Sequence, residues 1–488
     1  MVSFNTIPGS LRVPLFYAEM DNSQAGSFSN TYRALILAQT LTTVSAKEPI
    51  LISSAQAAKN KFGTGSQMAQ MVEAYLKNNT SVELYVLPVA DPASGAAASA
   101  TITLTGTATE NGTLSIYVYD TLVDVGVSEG DEAADVATAV AAALNANTDL
   151  PVSATVSEAV VTVTAKHKGL IGNDIVLSIN AMGDANGEVL PAGIEAGLTT
   201  MTGGTGSSDL SEVTSRIGEE QYDFIISGFT TQSALAILSD YMNDKTGQWS
   251  YAKQNYGHVW AALRGTCAEC QTFGSGLNDQ HLSVLGINGT LSPIWSVAAA
   301  LAGSAATSLA ADPARPLQTL TLTGIQAPCV SDRFIRTERE TLLRNGISTY
   351  TVNAGTVQIE RVVTTYQKNA YGQADNSYLS VETMYTSAYV LRRLKSAITT
   401  KYGRHKLADD GTRFGAGQAI VTPKVIRAEL IAVYDALEYE GIVENADAFK
   451  SALIVERNEN DSNRLDVLFA PDYVNQLNIF ALVNQFRL

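Results

Sequence analysis

Short apolar runs alternate with amphipathic segments in two separate stretches of the chain. Buried strands are predicted at residues 34–38, 50–52, 82–87, 224–226, 259–263 and 282–287. Helices are predicted between them, one after the N-cap Ser66 and another over residues 232–242. Repeated strand–helix units of this kind favour an α/β layer architecture.

A segment of different composition, residues 90–205, separates these two stretches. Strands with alternating apolar and polar positions are predicted at residues 101–105, 114–119, 160–164 and 175–179. A helix is predicted over residues 132–146. The segment carries 14 acidic and 2 basic residues. We therefore expect an acidic, β-rich domain that is inserted into a surface loop of the α/β domain and faces solvent.

The last part of the chain, residues 331–488, has the pattern of long helices followed by two strands. The helices are predicted over residues 378–402 and from Pro423, in the first helical position, to Gly441. The strands are predicted at residues 465–469 and 477–483. The chain remains apolar to its last residue, whereas free termini are usually polar and frayed. The pattern predicts that this end is buried against a partner or the body.

The N-terminal segment has the pattern of a strand that leaves its own subunit. Leu11, Val13, Leu15 and Tyr17 fall on one face at period two, and a polar stretch at residues 21–27 follows. Pro14 cannot donate a ladder hydrogen bond, so the strand can pair fully on only one side. We interpret residues 1–30 as an arm whose partner strand need not belong to the same chain.

Together these patterns predict a multidomain α/β (α+β) protein with extended terminal arms. The predicted units are an arm at residues 1–30, a middle α/β domain at 31–89 and 206–330, an inserted β-rich domain at 90–205 and a C-terminal domain at 331–488.

The charge distribution argues against a nucleic-acid binder. The net charge is −16, whereas residues 331–488 hold 19 acidic and 19 basic residues, so the basic residues concentrate in the C-terminal third. The N-terminus lacks the basic and apolar regions of a signal peptide. The apolar stretch at residues 296–311 consists mostly of small side chains, which favours a packed core helix over a membrane span.

Candidate catalytic and metal-binding motifs are weak. Cys267 and Cys270 form a CxxC pair, but no second pair follows and the histidine spacing matches no common zinc module. Two buried thiols that pack as small apolar groups are the favoured interpretation. The glycine-rich residues 201–208 lack the Gly-Lys-Ser/Thr ending of a phosphate loop and are interpreted as a linker. The sequence thus predicts no catalytic site, metal or cofactor.

One basic cluster remains. Arg392, Arg393 and Lys395 lie close together on the helix predicted over residues 378–402. A solvated or salt-bridged helix face is one interpretation. The other is an electrostatic contact with an acidic neighbour in an assembly.

Several stretches resemble the tail sheath proteins of Mu-like bacteriophages and follow the same order along the chain. They are residues 7–15 in the N-terminal arm, residues 164–175 in the insert, residues 221–225, 256–259 and 264–266 in the middle domain, and residues 463–472 and 485–488 near the C-terminus. The order of these stretches makes the resemblance specific.

The resemblance implies a structural protein and not an enzyme. Sheath subunits of this family form rings, usually of six, that stack helically around a rigid tube on a baseplate. Their layered core combines N- and C-terminal regions of the chain and lies against the tube, so the resemblance makes Arg392, Arg393 and Lys395 candidates for a contact with the tube as well. The sheath contracts without nucleotide when its subunits rotate into a wider, shorter lattice. The expected partners are other copies of the chain, the tail tube protein, and the baseplate and tail terminator proteins. No direct contact with nucleic acid and no membrane insertion are expected, and the location implied is the virion tail, after assembly in the host bacterial cytoplasm.

The resemblance also implies that terminal strands join the sheets of neighbouring subunits, which is β-augmentation used for polymerisation. The residues predicted to form these inter-subunit links are Leu11, Val13, Leu15, Tyr17, Leu465, Val467, Phe469, Leu477, Ile479 and Phe486. Either C-terminal strand could be the one that crosses to the neighbour.

Two alternative functions remain. One is the sheath of a phage-derived bacteriocin or of another contractile injection machine. A bacterial surface protein with β-rich modules is a more distant one, which the missing signal peptide disfavours.

Overall fold

The computed structural model describes residues 31–43, 48–415 and 417–487. The predicted arm, with Leu11, Val13, Leu15 and Tyr17, lies outside the described residues. Strands and helices are numbered along the chain. The strands are β1 (Arg33–Gln39), β2 (Ile50–Leu51), β3 (Glu83–Val89), β4 (Ala97–Gly106), β5 (Gly112–Val118), β6 (Thr121–Val127), β7 (Val152–Ser157), β8 (Val160–Lys168), β9 (Leu177–Ile179), β10 (Ile194–Leu198), β11 (Phe224–Ser227), β12 (His258–Arg264), β13 (Leu282–Ile287), β14 (Thr321–Gln326), β15 (Ile347–Asn353), β16 (Thr356–Arg361), β17 (Lys406–Leu407), β18 (Ile420–Val421), β19 (Val443–Glu444), β20 (Ile454–Arg457), β21 (Leu465–Leu468) and β22 (Asp472–Tyr473). The helices are α1 (Ala55–Phe62), α2 (Gln67–Asn78), α3 (Ala133–Ala146), α4 (Leu210–Ser215), α5 (Gln232–Met242), α6 (Cys267–Ser275), α7 (Ile294–Ala311), α8 (Arg336–Arg344), α9 (Val381–Tyr402), α10 (Pro423–Tyr439) and α11 (Ala446–Ala452).

The largest sheet has nine strands in the order β14-β16-β15-β13-β12-β11-β1-β3-β2. The six strands from β15 to β3 run parallel, and antiparallel strands close both edges. Residues 34–38 of β1 are all fully buried, which is the pattern of a strand covered on both faces. The predicted α/β class is confirmed, and the apolar runs of the sequence form the central strands.

Helix α7 is the long apolar helix of the sequence. It packs against α2 and against strands β11 and β12, and 78% of its residues are buried inside the protein. Its small side chains permit a close approach: a Cβ placed on Gly303 would lie 2.9 Å from the carbonyl oxygen of Tyr75 in α2. Among the described residues, α7 is the one helix with the length and composition of a membrane span, and its burial makes it a core helix.

The range predicted for the insert, residues 90–205, contains seven strands and α3. They form two sheets, with the orders β10-β4-β8-β7 and β6-β5-β9. Helix α3 begins with a capping box formed by Glu132 and Asp135. The two connections to the large sheet run side by side, because Ala96 pairs with Thr205 in an antiparallel bridge.

The large sheet continues beyond the boundary predicted at residue 331. Strands β15 and β16 pair within this sheet, and α8 packs against β15. Residues on both sides of this predicted boundary therefore belong to one sheet. A second, separate apolar core forms only farther along the chain, around Leu430, Tyr434 and Phe449. The reason is that an alternating strand pattern does not specify which sheet the strand joins.

Helix α9 belongs to both cores. Val381 and Tyr385 in its first half pack in the core of the large sheet, whereas Val390 is part of the second core, with Leu394 and Ile398 packed against it.

The end of the chain differs from the prediction in one respect. Residues 477–483 form no strand, because no neighbouring strand within the described chain pairs with them.

We expect the body of the protein to fold without its insert. Residues 97–204 would be replaced by a Gly-Ser linker, which is feasible because Ala96 and Thr205 are hydrogen-bonded neighbours. The variant should unfold in one cooperative transition in urea, at a lower midpoint than the full chain. Near-ultraviolet circular dichroism during the titration provides the measurement. A variant with no near-ultraviolet signal and no cooperative transition would contradict an inserted domain.

Candidate assembly surfaces

A buried ion pair joins α9 to the amino end of the large sheet. Asp223 directly precedes β11 and its side chain is 2% exposed, and that of Arg392 is 12% exposed. A terminal guanidinium nitrogen of Arg392 donates to the Asp223 carboxylate and, at 2.9 Å, to the carbonyl oxygen of Tyr256. The backbone N–H of Arg33 donates to the other carboxylate oxygen at 2.9 Å. The Tyr385 hydroxyl donates to the Asp223 carbonyl at 2.8 Å.

The second arginine of the predicted basic cluster also binds within the chain. Arg393 donates to Glu440, after the end of α10, at 2.8 Å, and the hydroxyl of Tyr389 donates to the same carboxylate at 2.9 Å. Lys395 is exposed. Arg392 and Arg393 thus form salt bridges that hold α9 in place, and Lys395 is exposed. A contact of this cluster with a partner stays a prediction.

A second buried ion pair lies at the opposite, carboxyl end of the sheet. Arg264, the last residue of β12, donates through Nε to Asp174 of the insert at 2.8 Å and through a terminal nitrogen to the carbonyl oxygen of Ser292 at 2.8 Å. Burial raises the pKa of Asp174, and the charge of Arg264 opposes this rise. Tyr119 of the insert packs edge-on against Trp295 of α7 at a centroid distance of 5.5 Å. These contacts hold the insert on the carboxyl end of the sheet.

A buried histidine adds to the contact between insert and body. The backbone N–H of Gln67, the first residue of α2, donates to Nε2 of His167 at 3.1 Å. The ring proton must therefore lie on Nδ1, which is 2.9 Å from the Asp91 carboxylate. The side chain of Gln67 also bonds the backbone of Gln39 and Gly228. The ends of β1, β11 and both connections of the insert thus share one polar network.

The connection between α9 and α10, residues 403–422, carries exposed positive charge. Arg404, Lys406 and Arg413 are exposed, and they form no ion pair within the described chain. The acidic residues of this loop are engaged: Asp409 pairs with Arg457 at 2.8 Å, and Asp410 accepts the N–H of Lys424 at 3.1 Å. The segment with these three basic side chains is called the basic loop below. It was not predicted as a site, although the sequence places all three residues between two predicted helices.

The residues predicted to link subunits at the C-terminal end fall into two groups. Leu465 and Phe469 pack against the second core, whereas Val467 is more exposed. Strand β21 pairs with β20 in a two-stranded sheet, and the outer face of this sheet presents Ile454 and Leu468 to solvent. The first group therefore belongs to the body of the chain.

The second group forms an exposed apolar tail, residues 477–487. Its large apolar side chains are between 69% and 82% exposed: Leu477, Ile479, Phe480, Leu482, Val483 and Phe486. In an extended chain, Ile479 and Val483 would point to one side and Phe480 and Leu482 to the other. Among the described residues, the expected burial of this end does not occur. The body holds the tail at its root, where the Gln318 side chain donates to the carbonyl oxygen of Leu477 at 3.1 Å.

The weaker sequence motifs have structural roles. Cys270 is buried in α6, and burial raises the pKa of its thiol to about 12, so it is protonated at neutral pH. Within the described ranges, no group of three or more His, Cys, Asp or Glu residues is placed to hold a metal ion. The glycine-rich segment at residues 201–208 connects the insert to α4, and Gly204 exchanges two hydrogen bonds with the side chain of Asn173.

Replacing Arg392 should destabilise the subunit, and replacing Lys395 should not. Arg392→Met leaves Asp223 buried without its cation, so we expect the free energy of unfolding to fall by about 3 kcal/mol. Lys395→Ala should change it by less than about 0.5 kcal/mol. Urea titrations of both variants give the comparison. Equal stability of the two variants would show that the buried pair does not hold α9.

Comparison with known protein families matches three consecutive regions of the chain. Residues 93–204 match the phage tail sheath protein beta-sandwich domain, residues 203–365 the phage tail sheath protein central domain, and residues 373–487 the phage tail sheath C-terminal domain. The Mu-like prophage FluMu tail sheath protein of Haemophilus influenzae is 43% identical over 492 residues, covering 100% of both chains.

Solved sheath structures are similar over most of the chain. The sheath tail protein of Listeria innocua aligns over 92% of this chain and 94% of its own, with 13% identity and a TM-score of 0.49. The sheath tail protein of Desulfitobacterium hafniense aligns over 94% and 99%, with 12% identity and a TM-score of 0.47. The contracted helical sheath of the anti-feeding prophage aligns over 98% and 99%, with 12% identity and a TM-score of 0.46. The assignment rests on the sequence matches: the chain belongs to the phage tail sheath protein family.

Proposed function

We propose that this chain is the subunit of a contractile tail sheath of a Mu-like phage. In this proposal, hexameric rings of the chain stack helically around the tail tube, and contraction drives the tube through the host envelope for genome delivery. The observation that carries the proposal is the apolar tail, which the described residues of its own chain leave exposed. Contraction changes the contacts between subunits and requires no catalysis, so the role is structural and not enzymatic.

The energetics of the apolar tail favour a partner. Burying one large apolar side chain contributes roughly 1.5–3 kcal/mol relative to leaving it exposed. The tail has six such side chains, and its backbone groups at residues 479–487 have no strand partner among the described residues. At residues 479–483, both faces of the extended tail carry large apolar side chains. Strands with this pattern are usually buried on both faces, so we propose that the tail enters a sheet of a neighbouring subunit.

The hairpin of β20 and β21 is the proposed receiving sheet. It has only two strands, so both of its edges are unpaired within the described chain. Ile454 and Leu468 are exposed on its outer face, where an added layer would cover them. The N-terminal arm, through Leu11, Val13, Leu15 and Tyr17, is proposed to complete the same kind of contact by β-augmentation.

The positions of the two ion pairs support an orientation of the subunit. The insert lies at the carboxyl end of the parallel sheet and the C-terminal domain at its amino end. Strand β12 has seven residues, so the two ends are about 23 Å apart. We propose that the acidic insert lies on the outside of the sheath and that the C-terminal domain lies next to the tube.

The basic loop is the proposed contact with the tube. It lies in the C-terminal domain and presents three unpaired positive charges in a chain of net charge −16. It takes the role first predicted for Arg392, Arg393 and Lys395, of which only Lys395 is exposed. Baseplate and tail terminator proteins are the proposed partners at the ends of the sheath. The proposed location is the virion tail, after assembly in the host bacterial cytoplasm.

Charges in the apolar tail should abolish assembly without unfolding the subunit. The double variant Ile479→Asp, Phe480→Asp places carboxylates where the proposed partner sheet would bury them, a cost that a β-strand contact does not tolerate. We expect the variant to sediment as a folded subunit, whereas the unmodified chain forms hollow cylinders in negative-stain micrographs.

The matched control for the tail variant is Tyr439→Asp. Tyr439 is an exposed apolar residue of the same domain, at the end of α10. It should assemble like the unmodified chain. Long cylinders of the tail variant at the same protein concentration would refute the proposed link.

Charge reversal in the basic loop should weaken binding to the tube. Arg404→Glu with Lys406→Glu is expected to reduce co-sedimentation with purified tail tubes at least about tenfold at low salt, with a smaller difference at high salt because salt screens exposed charges. Arg344→Glu, on exposed α8, is the control with the same type of charge change. Equal binding by loop and control variants would exclude the basic loop as the tube contact.

A further inference from the structure

A polar cavity lies where the C-terminal segment leaves the body of the chain. Its volume is about 390 Å3, and its wall is formed by the end of β16, the first turns of α9 and residues 472–478. Most of the lining side chains are hydroxyls or amides. The cavity is large enough for a small polar ligand together with water.

Arg361, the last residue of β16, lines this cavity, and its side chain is partly exposed. Its guanidinium group makes no hydrogen bond and no ion pair with any described residue, and its Nε is buried without a hydrogen-bond partner. A buried donor without an acceptor is costly, and native donors in such positions are normally paired. The Nε of Arg361 therefore indicates a missing acceptor, and an anion would supply it.

Helix α9 adds two further features that suit an anion. The helix has 22 residues, and its N-terminus, with the positive end of the helix dipole, forms part of the cavity wall. Ser380 at its N-cap makes no side-chain capping bond. Thr386, six residues further along, is 1% exposed, lines the same cavity, and its hydroxyl has no hydrogen-bond partner among the described residues.

Two carboxylates lie nearby, and neither is hydrogen-bonded to Arg361. Glu382 in the first turn of α9 accepts the backbone N–H of Leu317 at 3.0 Å. Burial raises the pKa of Glu382, and the charge of Arg361 opposes this rise without an ion pair between the two side chains. Asp472, in the cavity wall, accepts from the side chain of Asn445 at 2.6 Å. The guanidinium group thus lines the cavity without a hydrogen-bonded anion among the described residues.

We propose that this cavity binds an oxyanion, with Arg361 as its principal partner and with Thr386 and the N-terminus of α9 as additional donors. The ligand is a carboxylate or phosphate group, whose oxygens match the planar donor set of arginine. It comes from solution or from an acidic side chain of a second copy of the chain. Because residues 472–478 form one wall, the bound anion also stabilises the root of the apolar tail. Only this last effect rests on the proposed sheath function.

The test measures binding of inorganic phosphate to the dispersed full-length subunit by titration calorimetry, at constant ionic strength set with sodium chloride. We expect a dissociation constant in the millimolar range or tighter, weakened at least about tenfold in Arg361→Gln. The control is Arg344→Gln, which removes an exposed arginine of the same domain body and should bind like the unmodified chain. Without phosphate, Arg361→Gln should melt at the same temperature as the unmodified chain or higher, because it removes an unpaired charge.

Assembly distinguishes the two sources of the anion. Phosphate binding that depends on Arg361 supports the site with a free anion. If phosphate does not bind, and Arg361→Gln but not Arg344→Gln raises the critical concentration for assembly at least tenfold, the site takes a carboxylate of a second copy. Phosphate binding that is equal in Arg361→Gln overturns the proposal, as does absent binding without an effect on assembly. The binding measurement uses dispersed subunits, so it stands independently of the sheath function.

Discussion

The subunit depends on one helix that is shared by two cores. The first half of α9 packs under the large sheet, and its second half packs in the C-terminal domain. Arg392 and Asp223 fix this helix to the amino end of β11, where the carboxylate also accepts a backbone N–H of β1. A buried pair of this kind adds little net stability but is expensive to break. It therefore determines where the C-terminal domain sits.

A comparable pair, Arg264 and Asp174, fixes the insert at the other end of the same sheet. Because β11 and β12 are parallel neighbours, the start of β11 lies at the amino end of the sheet and the end of β12 lies at its carboxyl end. The parallel sheet thus separates an acidic domain from a domain whose exposed loop is basic. In the proposed sheath, this arrangement would let each subunit move as one body while the proposed contact of its apolar tail keeps the neighbours joined.

The contacts that this chain lacks are as informative as those it makes. Buried polar groups in the body are mostly paired, whereas Arg361 and the apolar tail lack a partner among the described residues. They lie close together, because Arg361 and the residues that lead into the apolar tail line the same cavity. An exposed apolar strand and an unpaired arginine each carry a free-energy cost that a neighbouring molecule can remove. The described part of the subunit thus leaves two surfaces without a partner, as expected for a protein that assembles with other copies of itself.

The sequence by itself determined the elements that depend on local periodicity and capping. The strand at residues 34–38, helix α5 over Gln232–Met242 and the N1 proline of α10 all occur as predicted. The tertiary structure alone decided what depends on distant partners. Arg392 lies 169 positions from Asp223, β15 and β16 join the large sheet, and residues 477–483 form no strand without a neighbour. The spacing of apolar residues along a segment determines which face of that segment is apolar. Which element covers this face depends on contacts with distant parts of the chain or with other subunits.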